Sequence, residues 1–545
     1  MKKASLGSVA SVGILGGAAL LSSLAAQACG SSGGSPGASS GNDAGGMVVM
    51  DSGPLVSLTS GDDGGTTKST GGCTGLQCAI AACPGGGSTT ISGAVYDPAG
   101  NNPLYNVVVY VPNSTPSPLT TGATCDSCGS LYTGDPIAAA VTDASGKFTI
   151  KNAPGGTSIP LVIQIGKWRK QTTIASVTSC TDNPVTQKLT LPSKQSEGDI
   201  PSIAISTGGA DTLECLLRRI GIDATEYGPG ASGTGRIHIF QGSADSATPA
   251  ATTSPTAAPS SSQNLWSSVA NLMPYDITIL SCEGQETQDQ PGGTPLSASD
   301  QQNLLQYTSA GGRVFASHFH YAWFNTGPFA AENIASWTTG ANPLNDSSNN
   351  PITDPFTQGD FINANIVTTF ADGGTFAKGA TLQTWLSNVD ALNASGSEAP
   401  GELVITQAKH NADLGASLAT PSQAWISADS RAQTEIEDFP AGTDGGTPVS
   451  ASGATEYLSF NTPVNAALDD AGEPAYCGRV VYSDLHVGAA SGDYEGATVP
   501  IVPSGCADNP LSPQEKVLEF MLFDLSSCVT PDTGSGQQAP PISIK

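Results

Sequence analysis

Two regimes of hydrophobic patterning follow one another along the chain. From Ser88 to about Pro192, short apolar runs alternate with polar positions: Ile91–Val95, Val107–Val111, Lys147–Ile150 and Leu161–Ile165. Turn signals separate them at Asp97-Pro98-Ala99-Gly100, Asp143-Ala144-Ser145-Gly146 and Ala153-Pro154-Gly155-Gly156. A period of two with this punctuation predicts an all-β sandwich of about seven strands. Near Gly198 the pattern changes. Strand-like runs at Ile200–Ser206, Gly235–Phe240, Tyr275–Cys282, Arg313–Ala316 and Gly478–Leu485 alternate with helical spacing, as in Leu213, Leu216, Leu217 and Ile220. Strand, helix, strand, helix predicts an α/β doubly wound parallel sheet. Between about 325 and 475 the rhythm breaks into Asn-, Asp-, Gly- and Thr-rich sequence with a helix at Leu382–Leu392 and strands at Leu403–Ile405 and Tyr457–Phe460. This predicts a long insertion at the carboxyl edge of the sheet. Ser512-Pro513-Gln514-Glu515 then starts a closing helix through Leu525 with an N-cap, a proline at the first position and a capping glutamate.

The ends lack such periodicity. Lys2 and Lys3 precede a small-residue apolar run, Val9–Leu24, and Ala26-Gln27-Ala28 before Cys29. That is a signal-peptide pattern with a lipobox-like cysteine, so Cys29 is expected to be lipidated and the chain exported to a bacterial cell envelope, as an outer-membrane lipoprotein or a secreted protein. The segments are then a leader (1–28), a Gly/Ser-rich linker (29–72), a Cys-containing cap (73–87), the sandwich (88–197), the α/β domain (198–528) and a disordered tail (529–545). Lys plus Arg number 20 against 47 Asp plus Glu, a net charge of −27. That field repels phosphate backbones and excludes nucleic acid as a partner. The densest positive patch, Lys167-Trp168-Arg169-Lys170, could offer an aromatic–cation surface to a sugar or polyanion, but a solvated strand face is the plainer expectation.

Twelve cysteines suit an oxidising compartment, and with Cys29 set aside an odd number remains. Cys125-Asp126-Ser127-Cys128 predicts a local disulfide in preference to a zinc motif. A strand starting near Cys477 and an antiparallel helix ending near Cys528 predict a Cys477–Cys528 disulfide. Cys282 is expected to pair with Cys215 or Cys506.

Candidate chemistry gathers where predicted strands end: Cys282-Glu283, His318-Phe319-His320 and Asp484-Leu485-His486. Open α/β sheets present their sites at the carboxyl ends of strands. In a continuing strand His318 and His320 share a face. The pocket set is therefore Glu283, His318, His320, Asp484 and His486. His318, His320, His486 and Glu283 form a tentative site for a divalent metal such as zinc, though no cofactor is required by the sequence. His318, His486 and Cys282 are the catalytic candidates.

Two resemblances follow from particular stretches. G-A-V-Y-D-P-A-G, P-L-Y-N-V-V-V-Y-V-P and V-T-D-A-S-G-K-F-T-I resemble the carboxypeptidase regulatory-like (transthyretin-like) domain, which implies the sandwich and no activity. Tyr275–Glu283, Gly311–His320 and G-R-V-V-Y-S-D-L-H resemble the class I glutamine amidotransferase-like family, especially its trehalose-utilisation branch, which implies a flavodoxin-like sheet. In that family the strand after the Gly-Gly turn ends in a nucleophilic Cys on a tight elbow, and a late His completes the pair. Here the elbow falls on His318, His486 matches the late His, and Gly488 stands where a Glu would orient it. The resemblance thus implies a degenerate site without glutamine hydrolysis, on a lipoprotein that binds a small polar ligand or glycan. The alternatives are a metal-assisted hydrolase using the histidines, and a structural surface spacer.

Overall fold

Alternation of side chains along a strand sends neighbouring residues to opposite faces, and here both faces of most strands are buried. The computed structural model describes residues 72–126, 128–242, 248–249, 260–284, 286, 296–339, 362–395, 397, 400–405, 409–414, 421–428, 454–469, 472, 474–486, 501–502 and 505–530. The leader, Cys29, the linker before Gly72, Gly488 and the tail after Thr530 lie outside the described residues. No helix among the described residues is long and apolar enough to cross a membrane.

The molecule is strand-rich, with several sheets. Eight strands come first: β1 (Thr90–Tyr96), β2 (Val108–Pro112), β3 (Pro136–Val141), β4 (Lys147–Ile150), β5 (Gly156–Ile165), β6 (Trp168–Val177), β7 (Asp182–Pro184) and β8 (Leu189–Thr190). They form two four-stranded sheets, β4-β1-β7 with β8 beside β1, and β3-β2-β5-β6. Ile91, Val95, Phe148 and Ile150 from the first meet Val109, Val111, Leu161 and Ile163 from the second in one core cluster.

Ten further strands make one mixed sheet. They are β9 (Ile203–Thr207), β10 (Tyr227–Pro229), β11 (Ile237–Gln241), β12 (Ile277–Leu280), β13 (Arg313–Ser317), β14 (Ile362–Ile366), β15 (Leu403–Ile405), β16 (Gln423–Ala428), β17 (Ala454–Thr462) and β18 (Gly478–Ser483). The order is β10-β11-β9-β12-β13-β18-β17-β16-β14-β15. The pairings from β10 to β18 are all parallel, and those from β18 onward are antiparallel. The stretch expected to sit as an insertion at the carboxyl edge therefore supplies four strands that widen the sheet sideways. Its innermost strand β17 is buried throughout, which hides the usual alternation of polar and apolar residues.

Helices cover both faces. Leu213, Leu216 and Leu217 of α1 (Leu213–Arg219) join Ile203, Ile277, Ile279 and Phe315 in one core. Leu304 and Tyr307 of α2 (Ala298–Ser309) join Ala204, Leu280, Val314 and Ala316 in the other. Helix α3 (Ala377–Asn388) and helix α4 (Pro513–Ser526) complete the first face. The Ser512–Glu515 capping box is present, and α2 has its own in Ser297 and Asp300.

The described residues belong to one compact unit, and the Lys167–Lys170 patch shows how the sandwich joins the large sheet. It is not a solvated face. Trp168 is buried against α4, its ring 5.7 Å edge-on from Phe523 and its indole N–H donating to Ser526 Oγ. Lys167 Nζ pairs with Asp276 at 2.8 Å and Asp126 at 3.3 Å, and Arg169 pairs with Asp199. The patch is cationic because it enters acidic surroundings within the same molecule.

The disulfides correct three expectations. Cys125 pairs with Cys477, a separation of 352 residues, so neither the local Cys125–Cys128 bridge nor Cys477–Cys528 forms. The strand–helix geometry behind the latter does hold: Arg313 donates to the carbonyls of both Cys477 and Ser527. The loop carrying Cys125 reaches Cys477 because it packs on the start of β13. There Gly311 adopts φ 116, and a Cβ would lie 2.1 Å from the Thr124 carbonyl. Cys528 is disulfide-bonded elsewhere. Cys215 takes Cys506, which leaves Cys282 a free, buried thiol. Cys73–Cys78 and Cys83–Cys180 pin the region before β1, the second of them to the turn that follows β6.

Candidate functional site

The parallel ladder pairs β12 with β13 and β13 with β18 in register, so the three strands end side by side. That brings Cys282, His318 and His486 together. His318 Nδ1 lies 3.5 Å from Cys282 Sγ and 3.0 Å from His486 Nε2. One ligand-capable atom from each residue falls within 4.8 Å of the others.

The turn at His318 is unlike the continuing strand expected. Strand β13 stops at Ser317, and His318 has φ 38 before a 3-10 helix spanning His318–Trp323. A non-glycine residue in the left-handed region costs about 1–2 kcal/mol, so the surroundings must hold it. The Tyr482 hydroxyl lies 2.9 Å from both the His318 carbonyl oxygen and Asp484 Oδ1. The Phe319 ring packs on the imidazole at 4.1 Å. Tyr482 itself sits among Phe324 and Trp337, an aromatic floor under the turn.

That turn separates the two histidines of H-x-H. His320 is buried and engaged through both nitrogens: Trp323 Nε1–H donates to Nδ1, so Nε2 carries the proton and donates to the Ser281 carbonyl at 2.9 Å. Burial holds this imidazole down at about 4, favouring the neutral form. Glu283 approaches His320 Nε2 at 3.6 Å and accepts from the Ser206 hydroxyl. The tentative metal set is thus split, with His318 and His486 in one group and His320 and Glu283 in another.

Asp484 also acts apart from the imidazoles. Its Oδ2 accepts from the backbone amides of Asn411 and Ala412 at 2.5 and 2.9 Å, anchoring the 409–414 segment. Burial raises its carboxyl to about 6, against those hydrogen bonds. The segment delivers Lys409, whose amide donates to the Asp484 carbonyl. Burial lowers the Lys409 ammonium, while the Cys282, Asp484 and Glu456 charges oppose that shift. Glu456, on β17, is fully buried and its carboxyl lies well above the usual range, first from burial and then from Asp484.

Cys282 is fully buried, its amide donating to Ser317 Oγ. Burial pushes the thiol up to about 12, while amide N–H groups of Phe319 and Gly284 directed at the sulfur pull the other way. Burial, then the charges of His318 and Lys409, hold His486 well below the ordinary imidazole range. The His486 imidazole can therefore present a neutral nitrogen lone pair beside His318 and the sulfur.

Sequence reasoning missed Lys409, Glu456 and Tyr482. Tyr482 stands two residues before Asp484 on a strand already identified, so its face was legible. Lys409 and Glu456 come from the irregular stretch, where no periodicity marks them. A small recess of about 30 Å³ lined by Lys167, Asp276 and Arg313 lies at the opposite, amino-terminal edge of the sheet, where Lys167 and Asp276 already pair with each other.

No protein-family model matches this chain, and no curated protein does. Two interface mutants of a type II cohesin–X-dockerin complex from Acetivibrio cellulolyticus each align over 27% of this chain and 78% of theirs, at 15% and 17% identity and a TM-score of 0.13. A 9R-lipoxygenase from Cyanothece PCC8801 aligns over 21% of this chain and 18% of its own, at 18% identity and a TM-score of 0.11. Likeness this slight carries no argument about fold or function.

Proposed function

We propose that this is an exported envelope protein, anchored through Cys29, in which a regulatory-like sandwich supports a degenerate amidotransferase-like, flavodoxin-like domain that binds a small polar ligand. The carrying observation is the turn after β13. The backbone there makes a left-handed elbow between strand and helix, but the residue on it is His318. An acyl-transfer site needs an exposed nucleophile at that point. The nearest thiol, Cys282, belongs to the neighbouring strand's end, is fully buried and is held protonated. Glutamine hydrolysis has no nucleophile in such an arrangement, whereas hydrogen-bonding imidazoles at a sheet's carboxyl edge suit polar-ligand recognition.

The test is a thermal-shift and calorimetric screen of the full chain against free amino acids and oligosaccharides, with ammonia release from glutamine measured alongside. At least one class should stabilise the wild type, the effect should vanish in His318→Ala and His486→Ala, and no ammonia should appear. Glutamine turnover, a screen without any binder, or binding that ignores both substitutions would each overturn the proposal.

A further inference from the structure

We propose that Cys282, His318 and His486 bind a transition-metal ion of the zinc or cuprous class through Sγ, Nδ1 and Nε2. This inference rests on the carboxyl edge being the working face.

The separations are the first argument. Zinc–nitrogen bonds of about 2.0–2.1 Å and zinc–sulfur bonds of about 2.3 Å put tetrahedral neighbours roughly 3.3–3.6 Å apart. The sulfur-to-Nδ1 distance is 3.5 Å and the nitrogen-to-nitrogen distance 3.0 Å, so two edges lie near those of one coordination polyhedron, while the set as a whole spans 4.8 Å and a bound ion would draw Sγ and Nε2 together. Two imidazole nitrogens that face each other can share only one proton. A cation between them satisfies both lone pairs together, with the sulfur's charge.

The second argument concerns the thiol. The nine other cysteines whose side chains are described, Cys73, Cys78, Cys83, Cys125, Cys180, Cys215, Cys477, Cys506 and Cys528, are all in disulfides. Cys282 alone among them stays reduced, and amide N–H groups of Phe319 and Gly284 point at its sulfur. Aimed at the sulfur, these donors are in place to stabilise the thiolate, the form that ligates metal, once a bound ion has displaced the thiol's proton. A buried thiolate needs a compensating positive charge, and a divalent or cuprous ion between it and two imidazoles supplies one.

Support for the ligands is built in as well. The Tyr482 hydroxyl meets the His318 carbonyl, Gln514 Nε2–H donates to the His486 carbonyl at 2.7 Å, and the Cys282 amide is fixed on Ser317. Positioned ligands of this kind distinguish a prepared site from a chance cluster. One sulfur with two nitrogens selects borderline and soft ions over magnesium or calcium. Three protein donors are the number used by centres that keep a coordination position for an exchangeable ligand.

The experiment is a titration of the chelator-stripped full chain with Zn²⁺ and with Co²⁺ as a spectroscopic probe. One equivalent of Co²⁺ should bind and give thiolate-to-cobalt charge-transfer absorption. Cys282→Ser, which keeps the side chain's size, should abolish that absorption, and His318→Ala or His486→Ala should weaken Zn²⁺ binding at least tenfold. His238→Ala, at a histidine bonded to Tyr275 and Gly235, should change nothing, with circular dichroism confirming that every variant is folded. No saturable uptake by the wild type, or wild-type absorption and affinity in Cys282→Ser, would overturn the inference. If the ligand screen succeeds while the wild type takes up no metal, the metal site falls and the binding function stands. If metal binds as described while no polar ligand does, the reverse holds.

Discussion

Trp168 offers the sharpest test of how the two halves of the molecule depend on each other. The indole is fully buried between the sandwich and α4, edge-on to Phe523 and hydrogen-bonded to Ser526. Trp168→Ala withdraws roughly 150–250 Å² of side-chain surface, an upper figure of about 4–6 kcal/mol at about 25 cal/mol per Å². The aromatic pair adds about 1 kcal/mol and the hydrogen bond about as much, while partial collapse of the cavity recovers some of the loss. The expected net destabilisation is about 4 kcal/mol. Trp168→Phe, which keeps a ring at the junction, should cost about half as much. Urea unfolding of the disulfide-intact chain, followed by far-ultraviolet circular dichroism and by tyrosine fluorescence, measures both. Because core residues of the sandwich and of the large sheet form one cluster, the two probes should shift together. A loss below about 1 kcal/mol, or a sandwich transition that moves while that of the large sheet stays, would refute this account of the junction.

Two further outcomes are expected. Replacing Cys125 and Cys477 together by serine removes a link between residues 352 apart; with Cys215–Cys506 intact the loop it closes is at most about 120 residues, for which chain entropy gives up to about 5 kcal/mol, against about 2 kcal/mol for the five-residue span of Cys73–Cys78. Melting temperatures of the two double variants should fall in that order, and the reverse order would rule out loop closure as the cause. Buried Asp97, in the first turn of the sandwich, is hydrogen-bonded to buried Glu519 of α4, beside Asn102 and Lys516 and against the amides of Gly100 and Asn101, and burial raises both carboxyls. Because the pair retains a proton that the unfolded chain releases near pH 4, its stability is fully present below that pH and is lost as pH rises through the folded value. Glu519→Gln should therefore raise the melting temperature at pH 8 relative to wild type and narrow the difference at pH 4, and an equal shift at both would contradict the shared proton.

The parts of the fold legible in the sequence were those governed by local spacing. Ile203, Ile277 and Phe315 sit in apolar runs bounded by Gly and polar residues, and each became a buried parallel strand. The capping signature at Ser512 specified its helix start directly. What stayed hidden depends on contacts between distant segments. His318 and His320 should share a face only if the strand continues, and the left-handed turn that ends it is held from Tyr482, more than 160 residues away. Cys125 finds Cys477 only once the sandwich has docked, and the charge of Lys167 has a meaning only beside Asp276. The convergence of positions 282, 318 and 486 was legible because parallel strands in one sheet end on one side. Which imidazole turned toward the thiol was not.

The Cys125–Cys477 bond also changes what a cut in the backbone can do. Both Cys282 and His318 lie inside the loop it closes, and His486 lies just beyond. A protease that nicks any exposed bend between the two cysteines leaves both fragments covalently tethered across the base of the central strands. Two bands on a reducing gel would then coexist with a single species under native, oxidising conditions, its sheet edge still assembled. Such a seam makes backbone scission a tolerable injury, and reduction the event that takes the molecule apart.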